Sequence, residues 1–258
     1  PIDGRVISQV CEADSAQVAR AVAAAKAAQS GPWADFSPSQ RADMLVRIAE
    51  GIERRFEEFV AAEVADTGRP VQQARTLDIA RGVHNFRTFA ELIRQAGSEF
   101  YEMRTADGSD VFSYTVRKAH GVVAIISPWN LPLYLFTWKI APALAAGNTV
   151  VAKPSEVTPL TATMLGELMQ QVGFPKGVLN IVHGLGPEVG EPLVTDARVK
   201  AVSFTGSTAV GKRIAGLAAP MLKKVSLELG GKNPTLVFAD SDWRDHLDTI
   251  VRSAFQNS

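Results

Sequence analysis

From residue 121 onward the sequence alternates between short apolar strands and helices, and this alternation restricts the possible folds more than any other feature. Strands are predicted at residues 122–126, 149–152, 178–182, 199–204 and 224–229. They are apolar on both faces and rich in β-branched residues, which is typical of a buried parallel sheet. The pattern therefore predicts the α/β fold class, with a doubly wound parallel sheet and right-handed crossovers.

The residues before this sheet predict N-terminal helices and a protruding β-hairpin. Three helices are expected, at about residues 14–31, 37–68 and 70–97, because capping residues or prolines stand at their starts and glycines at their ends. Residues 100–117 surround Asp107-Gly108-Ser109, which is a hairpin turn signal. The side chains of the hairpin are too apolar for a free ribbon, so we expect something to cover it, and a partner subunit is one candidate.

Composition and charge narrow the classes of function. Lys and Arg total 27, as do Asp and Glu, so no net charge favours nucleic acid or an anionic membrane. No apolar run approaches the ~20 residues of a membrane span, and no basic-then-apolar leader marks secretion. The single cysteine, Cys11, excludes an internal disulfide framework and favours a reducing, cytoplasmic location. The four histidines lack metal-ligand spacing, so no metal site is expected.

Polar or glycine-rich loops follow the predicted strands, at the edge where doubly wound sheets bind ligands. In chain order these loops are Ser127-Pro-Trp-Asn130, Lys153-Pro-Ser-Glu156, Gly184-Leu-Gly186, Phe204-Thr-Gly-Ser207 and Glu228-Leu-Gly-Gly-Lys232. Five such loops converging on one edge predict a nucleotide site there.

Each candidate cofactor residue also has a purely structural interpretation. Backbone N–H groups at Gly206-Ser207 could hold a pyrophosphate at a helix N-terminus, although a serine there also serves as an ordinary N-cap. Lys153 and Glu156 could both hydrogen-bond ribose hydroxyls, or they could form a solvated surface pair worth under about 1 kcal/mol. Gly184 and Gly186 do not complete the G-x-G-x-x-G fingerprint, which disfavours an ordinary Rossmann dehydrogenase.

Two further residues fit catalytic roles. Asn130 could donate its side-chain amide to a developing oxyanion, or it could cap the helix that follows. Glu228 ends an apolar strand before two glycines, where a carboxylate acts as a general base or caps the next turn. The sequence pattern alone leaves both choices open.

Five motifs together resemble the aldehyde dehydrogenase superfamily. They are Ser127-Pro-Trp-Asn-Leu-Pro-Leu133, Trp138-Lys-Ile-Ala-Pro-Ala-Leu-Ala-Ala-Gly-Asn148, Lys153-Pro-Ser-Glu156, Phe204-Thr-Gly-Ser207 and Leu227-Glu-Leu-Gly-Gly-Lys232. Each motif is weak alone, but five in order at matching spacing are specific. The resemblance extends over essentially the whole chain.

The resemblance implies an enzyme that oxidises aldehydes to carboxylic acids with NAD as its cofactor. In that family a cysteine thiolate attacks the carbonyl, hydride passes to the nicotinamide, and a glutamate-activated water hydrolyses the thioester. By motif position, the implied catalytic residues are Glu228 as that glutamate, Asn130 as the oxyanion-hole amide and Lys139 as a lysine near the glutamate. The implied cofactor contacts are Ile126, Trp129, Lys153, Glu156, Gly186, Phe204, Gly206, Ser207 and Val210. A carboxylate at Glu156 favours NAD, because it would repel the additional phosphate of NADP.

The resemblance also implies a domain organisation. Residues 1–99 and 118–230 are expected to form a discontinuous cofactor-binding domain, residues 100–117 an oligomerisation hairpin, and residues 231–258 the start of a catalytic domain. A homo-oligomer, either a dimer or a tetramer, is therefore expected for the full-length protein.

The catalytic cysteine is the main departure from the family pattern. It is expected roughly 34 residues after the glutamate, in a Gly-Gln-x-Cys context, and the sequence ends short of that point. We therefore expect an inactive N-terminal fragment, and the start at Pro1 without a methionine leads to the same expectation for the front end. Cys11 cannot be carried over to the nucleophile's role and is expected to be an inert packed or surface thiol.

Within the family, the stretch from Asn130 to Asn148 looks like the branch that acts on muconic semialdehydes, formed when aromatic rings are opened. Betaine aldehyde, generic aliphatic aldehydes and a non-catalytic nucleotide-binding homologue are the alternatives. A muconic substrate carries a far carboxylate, which an arginine fork would suit. We select Arg81, which lies six residues from both Arg75 and Arg87 and precedes Gly82, where a missing side chain would leave room. The alternative for Arg81 is a solvated helix arginine.

Overall fold

A five-stranded parallel sheet forms the centre of the structure, a computed structural model that describes residues 1–255. The strands, numbered from a separate hairpin, are β1 (Phe100–Arg104), β2 (Asp110–Tyr114), β3 (Val122–Ile126), β4 (Thr149–Lys153), β5 (Leu179–Ile181), β6 (Val199–Thr205) and β7 (Lys224–Glu228). The order across the sheet is β5-β4-β3-β6-β7. All five strand predictions are confirmed to within one residue at each end.

Helices precede and connect the strands. The α-helices are α1 (Ser15–Ala28), α2 (Pro38–Arg54), α3 (Phe56–Thr67), α4 (Val71–Gln73), α5 (Ala80–Arg94), α6 (Pro132–Ala145), α7 (Leu160–Gln171), α8 (Glu191–Thr195), α9 (Thr208–Ala218) and α10 (Leu247–Phe255). π-helical segments occur at Ala74–Ile79 and Gly186–Gly190, and 3₁₀ segments at Pro32–Asp35 and Ala219–Met221. In the part of the chain that the structure describes, no helix has both the length and the apolarity needed to cross a membrane.

Helices cover both faces of the sheet, which is the doubly wound arrangement that the alternation predicts. On one face, α2, α5, α6 and α7 pack over Val123 and Ile125 of β3. On the other face, α1, α8 and α9 pack over Val122 and Ala124 of the same strand. Successive side chains of β3 thus enter different cores, because a strand points its side chains alternately to opposite faces.

Two of the N-terminal helices differ from their predictions. The helix expected at residues 37–68 is broken at Arg55, whose φ of −107° and ψ of 23° leave the helical region. Both halves contact α7, so the apolar residues recur at helical spacing on either side of the break and periodicity alone does not reveal it. The helix expected at residues 70–97 ends at Arg94 and contains the π segment Ala74–Ile79.

Strand β7, at one of the two edges of the sheet, corrects a second prediction. Residues 224–229 were expected to be buried on both faces, yet in β7 only Leu227 is even partly buried. The sequence of β7 alternates polar and apolar residues, and the strand lies at the edge of the sheet, where α9 packs against it. Within residues 1–255, β7 therefore has no strand on its outer side, and the face opposite α9 is open.

The hairpin forms as predicted. β1 and β2 pair antiparallel, with Phe100 opposite Tyr114, and the backbone N–H of Ser109 donates to Asp107 at 3.0 Å in the turn. Every residue of the two strands is exposed, including large apolar side chains such as Met103 and Phe112. The hairpin therefore presents an apolar surface on both faces.

Candidate functional site

The strand order reverses between β3 and β6, and the loops at the carboxyl ends there form an open groove. In the ladder, Ile126 at the end of β3 lies between Lys153 of β4 and Phe204 of β6. Such a reversal is where doubly wound sheets bind ligands. The groove has a volume of about 680 Å³ and is lined by Pro128, Trp129, Asn130, Leu135, Trp138, Thr205, Gly206, Ser207, Glu228, Leu229 and Gly230. The structure therefore brings together the loops after β3, β6 and β7.

The loop after β6 turns tightly into α9. Ser207 is the N-cap of this helix, and its hydroxyl accepts a hydrogen bond from the backbone N–H of Val210 at 3.3 Å. A Cβ at Gly206 would lie 2.4 Å from the ring of Phe204, so the turn has no room for a side chain. The N-cap interpretation of Ser207 is thus confirmed. It is compatible with anion binding, because the other N–H groups of the first turn have no partner within the helix.

Lys153 and Glu156 form an ion pair at the end of β4. The Nζ of Lys153 donates to Glu156 at 2.9 Å and to the carbonyl of Pro154 at 3.1 Å. The side chain of Lys153 is only 4% exposed whereas that of Glu156 is 42% exposed, so this is not the solvated pair of the alternative interpretation. Burial acts to raise the pKa of Glu156, but the hydrogen bond and charge of Lys153 outweigh it and hold that pKa below its ordinary value.

The loop after β5 leads to Gly190, which lies against the ends of β3 and β4. Gly184 has a φ of +141°, and a Cβ there would lie 2.6 Å from Val189, so the local backbone requires glycine. Gly186 is exposed and begins the π segment Gly186–Gly190, with open space where a side chain would be. At the other end of that segment, a Cβ at Gly190 would contact Ile126 at 3.8 Å. The π segment that Gly186 begins therefore packs its other end against the end of β3.

The remaining predicted cofactor contacts differ in exposure. Trp129 and Val210 are exposed, at 56% and 46%, and Trp129 lines the groove. Ile126 is partly buried. Phe204 is only 4% exposed and packs in the core formed with α1, α8 and α9. Its side chain therefore supports the Gly206 turn from below.

Asn130 lies in the groove and does not cap α6. That helix begins after Leu131 with a proline in its first turn and with no side-chain cap, so the capping interpretation is wrong. The backbone carbonyl of Asn130 accepts a hydrogen bond from Nη2 of Arg69. Asn130 lines both the groove and a second pocket that Arg69 also lines.

Glu228 ends β7 and is exposed. It is paired in register with Thr205, and its backbone carbonyl accepts a hydrogen bond from the N–H of Gly206 at 3.0 Å. Lys139 of α6 is buried, and its Nζ donates to the hydroxyl of Ser203 at 3.1 Å. Burial lowers the pKa of Lys139, and the charge of Glu228 opposes this. Lys139 and Glu228 are thus electrostatic neighbours.

Arg81 is an exposed residue of α5. Its neighbours of the same type form ion pairs, Arg75 with Glu57 and Arg87 with Glu53, whereas within residues 1–255 Arg81 has no ion pair. The reason given for choosing it is wrong in one respect. A Cβ at Gly82 would lie 2.9 Å from Leu133, so the missing side chain lets α5 and α6 pack closely and does not leave room for a ligand.

A buried charged cluster beside the groove was missed in the sequence. Glu63 and Asp78 have no exposed surface, and the side chain of Arg69 is 9% exposed. No motif marks these residues, and acids on amphipathic helices are expected to be solvated. Cys11, by contrast, is exposed as expected for a surface thiol. No group of three or more metal-ligating side chains is found within residues 1–255.

Comparisons with known proteins agree on one family. The profile described as "Aldehyde dehydrogenase family" matches residues 1–258. A 2-hydroxymuconic semialdehyde dehydrogenase from Pseudomonas sp. (strain CF600) is 51% identical over 258 residues, which are 100% of this chain and 53% of that protein. A 2-aminomuconic 6-semialdehyde dehydrogenase from Pseudomonas sp. is 49% identical over 259 residues, with 100% and 53% covered. The NAD+ complex of an aldehyde dehydrogenase from Bacillus cereus matches with a TM-score of 0.91 at 38% identity, covering 96% of this chain and 50% of that one. The chain spans about half the length of the relatives it matches.

Proposed function

Because the chain belongs to the aldehyde dehydrogenase family, we propose that it forms the cofactor-binding part of an enzyme that oxidises an aldehyde to a carboxylic acid with NAD. The observation that supports this proposal is the groove in which Asn130, the Gly206-Ser207 turn and Glu228 meet. The backbone hydrogen bond from Gly206 to Glu228 fixes the turn and the end of β7 side by side. A candidate anion site and a candidate base therefore share one groove.

The residues along the groove fit NAD, which when bound supplies the nicotinamide that accepts hydride. The bare backbone at Gly206 would let the pyrophosphate approach, because a side chain there is excluded by Phe204. Lys153 and Glu156 would hydrogen-bond the ribose hydroxyls. The carboxylate of Glu156 would also repel the phosphate that distinguishes NADP. The further contacts that we assign to the cofactor are Ile126, Trp129, Gly186, Ser207 and Val210, with Phe204 in support.

The catalytic roles follow from what the side chains can donate or accept. The amide of Asn130 would donate to the oxyanion that forms when a nucleophile adds to the aldehyde carbonyl. The carboxylate of Glu228 would take a proton from the water that completes the reaction. Lys139 places a positive charge on the same side of the sheet and is held there by Ser203.

The test is NADH formation by the protein that carries this sequence, supplied with NAD and an aldehyde. In Glu228→Gln the side chain keeps its shape and loses the base, so we expect a rapid first formation of NADH followed by a much slower steady state. Steady-state turnover equal to that of the unchanged protein would remove Glu228 from the mechanism. Nucleotide binding without any NADH formation would instead favour a non-catalytic homologue.

We further propose a muconic-type semialdehyde from aromatic-ring degradation as the substrate, with Arg81 holding its far carboxylate. Both relatives reported above act on muconic semialdehydes according to their names. Arg81 is exposed and, among the described residues, is not committed to an ion pair, so its guanidinium is available for such a contact.

Substitution of Arg81 tests the substrate assignment. Arg81→Ala should raise KM for a carboxylate-bearing semialdehyde about ten- to a hundredfold and leave a neutral aliphatic aldehyde almost unaffected. Arg75→Ala is the matched control, because Arg75 lies on the same helical rod and pairs with Glu57. An equal effect on both aldehydes would give Arg81 a role in folding only. No effect on either would show that Arg81 is a solvated helix arginine.

The remaining assignments concern organisation. We propose that residues 1–99 and 118–230 form the cofactor-binding domain, that residues 100–117 mediate homo-oligomerisation, and that residues 231–258 belong to a catalytic domain. The exposed apolar faces of the hairpin support an interface there, because such surfaces are usually covered in an assembly. A dimer or tetramer in a reducing, cytoplasmic compartment fits a chain whose cysteine is free.

A further inference from the structure

A buried ion pair lies directly behind Asn130 and has no role in the function proposed so far. Arg69 follows α3, and Asp78 lies in the π segment Ala74–Ile79. The Nε of Arg69 is 3.3 Å from Oδ2 of Asp78, with side chains 9% and 0% exposed. The Nη2 of the same guanidinium donates to the backbone carbonyl of Asn130. One arginine therefore joins a buried carboxylate to the backbone of the candidate oxyanion residue.

This arrangement is costly for the stability of the fold. Neither carboxylate oxygen of Asp78 has a hydrogen-bond partner among the described residues, and burial raises the pKa of Asp78 to about 6 although the charge of Arg69 opposes this. Glu63, also fully buried, lies close enough for its charge to interact with both groups. Replacing a buried ion pair of this kind by apolar side chains is often neutral or stabilising. Stability alone therefore does not account for the pair.

The backbone around Asp78 supports a specific placement. A π segment inside a helix is uncommon and is found frequently at functional sites. Here it turns Asp78 inward, while Arg75 and Thr76 on the same segment form contacts at the surface. Asp78 thus faces the protein interior, beside Arg69, and is shielded from solvent.

The loop that carries Asn130 depends on contacts of this kind. Its first residue is fixed, because the backbone N–H of Ser127 donates to the carbonyl of Lys153 at 3.1 Å. Its far end joins α6, where the carbonyl of Leu131 accepts a hydrogen bond from the backbone N–H of Leu135 at 2.9 Å, but α6 has no side-chain cap and Pro132 has no N–H to donate. The guanidinium of Arg69 reaches the peptide between these two points.

We propose that Arg69, held in place by Asp78, is a positioning residue that fixes the peptide of Asn130 and so directs the Asn130 amide into the groove. This proposal rests on the proposed function for its catalytic meaning. An arginine suits the role because its planar fork can contact a carboxylate and a carbonyl at once with fixed geometry. A lysine, with one compact charged group on a flexible stem, would hold one partner or the other.

The structural test uses the protein that carries this sequence and does not depend on catalysis. In Arg69→Lys, the NMR resonances of the Asn130 side-chain amide should shift, and hydrogen exchange of the backbone amides from Asn130 to Leu135 should speed up about tenfold or more. Arg75→Lys is the matched control, because it alters an exposed arginine–glutamate pair nearby, and it should leave both signals unchanged. Asn130 signals that are the same in both variants would overturn the proposal.

A second variant separates positioning from stability. Arg69→Met combined with Asp78→Leu removes both charges, so the chain should unfold at nearly the same temperature as the unchanged protein. The Asn130 signals should nevertheless be displaced as in Arg69→Lys, because no donor reaches the carbonyl. Normal Asn130 signals in this double variant would show that Arg69 has no positioning role.

The kinetic test uses the protein in which aldehyde oxidation is measured. Arg69→Lys should lower kcat about ten- to a hundredfold with KM and the NAD dissociation constant within about threefold, because a displaced amide stabilises the oxyanion less well while the binding surfaces persist. An equal loss in KM or in NAD affinity would indicate general damage and overturn the proposal. If the unchanged protein oxidises no aldehyde, the proposed function fails, while the NMR measurement still decides whether Arg69 fixes Asn130.

Discussion

The candidate site has a covered side and an open edge, and its polar residues are held differently on each. On the covered side, β4 is buried at all five positions and ends at Lys153, whose side chain is 4% exposed. At the open edge, β7 is exposed at four of five positions and ends at the exposed Glu228. The two strands are parallel and equally long, but β4 lies between β3 and β5, whereas within residues 1–255 β7 has a neighbour on one side only.

The comparison shows that different contacts fix the polar side chains on the two sides of the site. Lys153 is fixed by burial and by its ion pair with Glu156. The backbone of Glu228 is fixed by the ladder to β6, but its side chain has no hydrogen bond to the residues that the structure describes. Substitutions on the covered side should therefore change stability, and a substitution of Glu228 should change function alone.

The largest effect is expected at Gly206, where the covered side meets the open edge. In Gly206→Ala the new Cβ would lie 2.4 Å from the Phe204 ring, so the ring or the turn must move. We expect NAD to bind about a hundredfold more weakly, or about 2.8 kcal/mol, in a calorimetric titration. Gly216→Ala is the control, since a Cβ there meets nothing within 4 Å, and it should leave NAD affinity unchanged. Equal affinities for the two variants would show that the turn does not contact the cofactor.

The second prediction concerns Glu63, the most deeply buried acid behind the groove. Its desolvation raises its pKa from 4.5 to about 8, although the hydrogen bond from Thr161 opposes this. Between about pH 4.5 and pH 8, the Glu63 carboxyl is therefore protonated in the folded state and ionised in the unfolded state. The contribution of Glu63 to stability is therefore fully present below pH 4.5 and is lost as the pH rises toward 8.

Glu63→Gln should remove this pH dependence, because the amide is neutral throughout. Relative to the unchanged chain, the variant should gain about 2.5 kcal/mol in the free energy of unfolding as the pH rises from about 5 to about 7, measured by urea denaturation. The charges nearest to Glu63 are Asp78 and Arg69, and Asp78 titrates in part of the same range. The control is Glu58→Gln, which alters an exposed acid paired with Arg55. Parallel pH curves for Glu63→Gln and the unchanged chain would contradict the prediction.

Much of the covered side could be predicted from the sequence, for a physical reason. A strand between two helix layers must be apolar on both faces, so β3 and β4 stand out in the sequence. Parallel strands also end at one common edge, and the polar loops after them must therefore meet. Motif order then led to Asn130 and Glu228, which line the groove, and to Lys153, which lies beside Ile126 in the ladder.

The rest depends on tertiary contacts that no local pattern encodes. β7 is exposed because no further strand of residues 1–255 pairs with its outer edge. Its alternating polar and apolar residues fit either an edge strand or a strand covered on one face. Asp78 is buried because a π segment shifts the helical register, by about 100° for each added residue, so the face expected from the preceding residues is no longer correct. The contacts of Arg69 with Asp78 and Asn130 could not be predicted either, because these residues are 9 and 61 positions away in the chain.

The smallest effects test the comparison most directly, through one substitution on each side of the candidate site. Glu156→Gln leaves the buried Lys153 without its charged partner, which should cost about 1 kcal/mol in the free energy of unfolding. The cost is modest because the side chain of Glu156 is 42% exposed and solvent screens the pair. Glu228→Gln, at an exposed position without a described side-chain partner, should stay within about 0.5 kcal/mol of the unchanged chain. Both free energies come from urea denaturation under one set of conditions. If the two substitutions lower the free energy of unfolding equally, then other contacts must hold the carboxylate of Glu228. The side chains at the open edge would then be fixed before the substrate binds, as those on the covered side are.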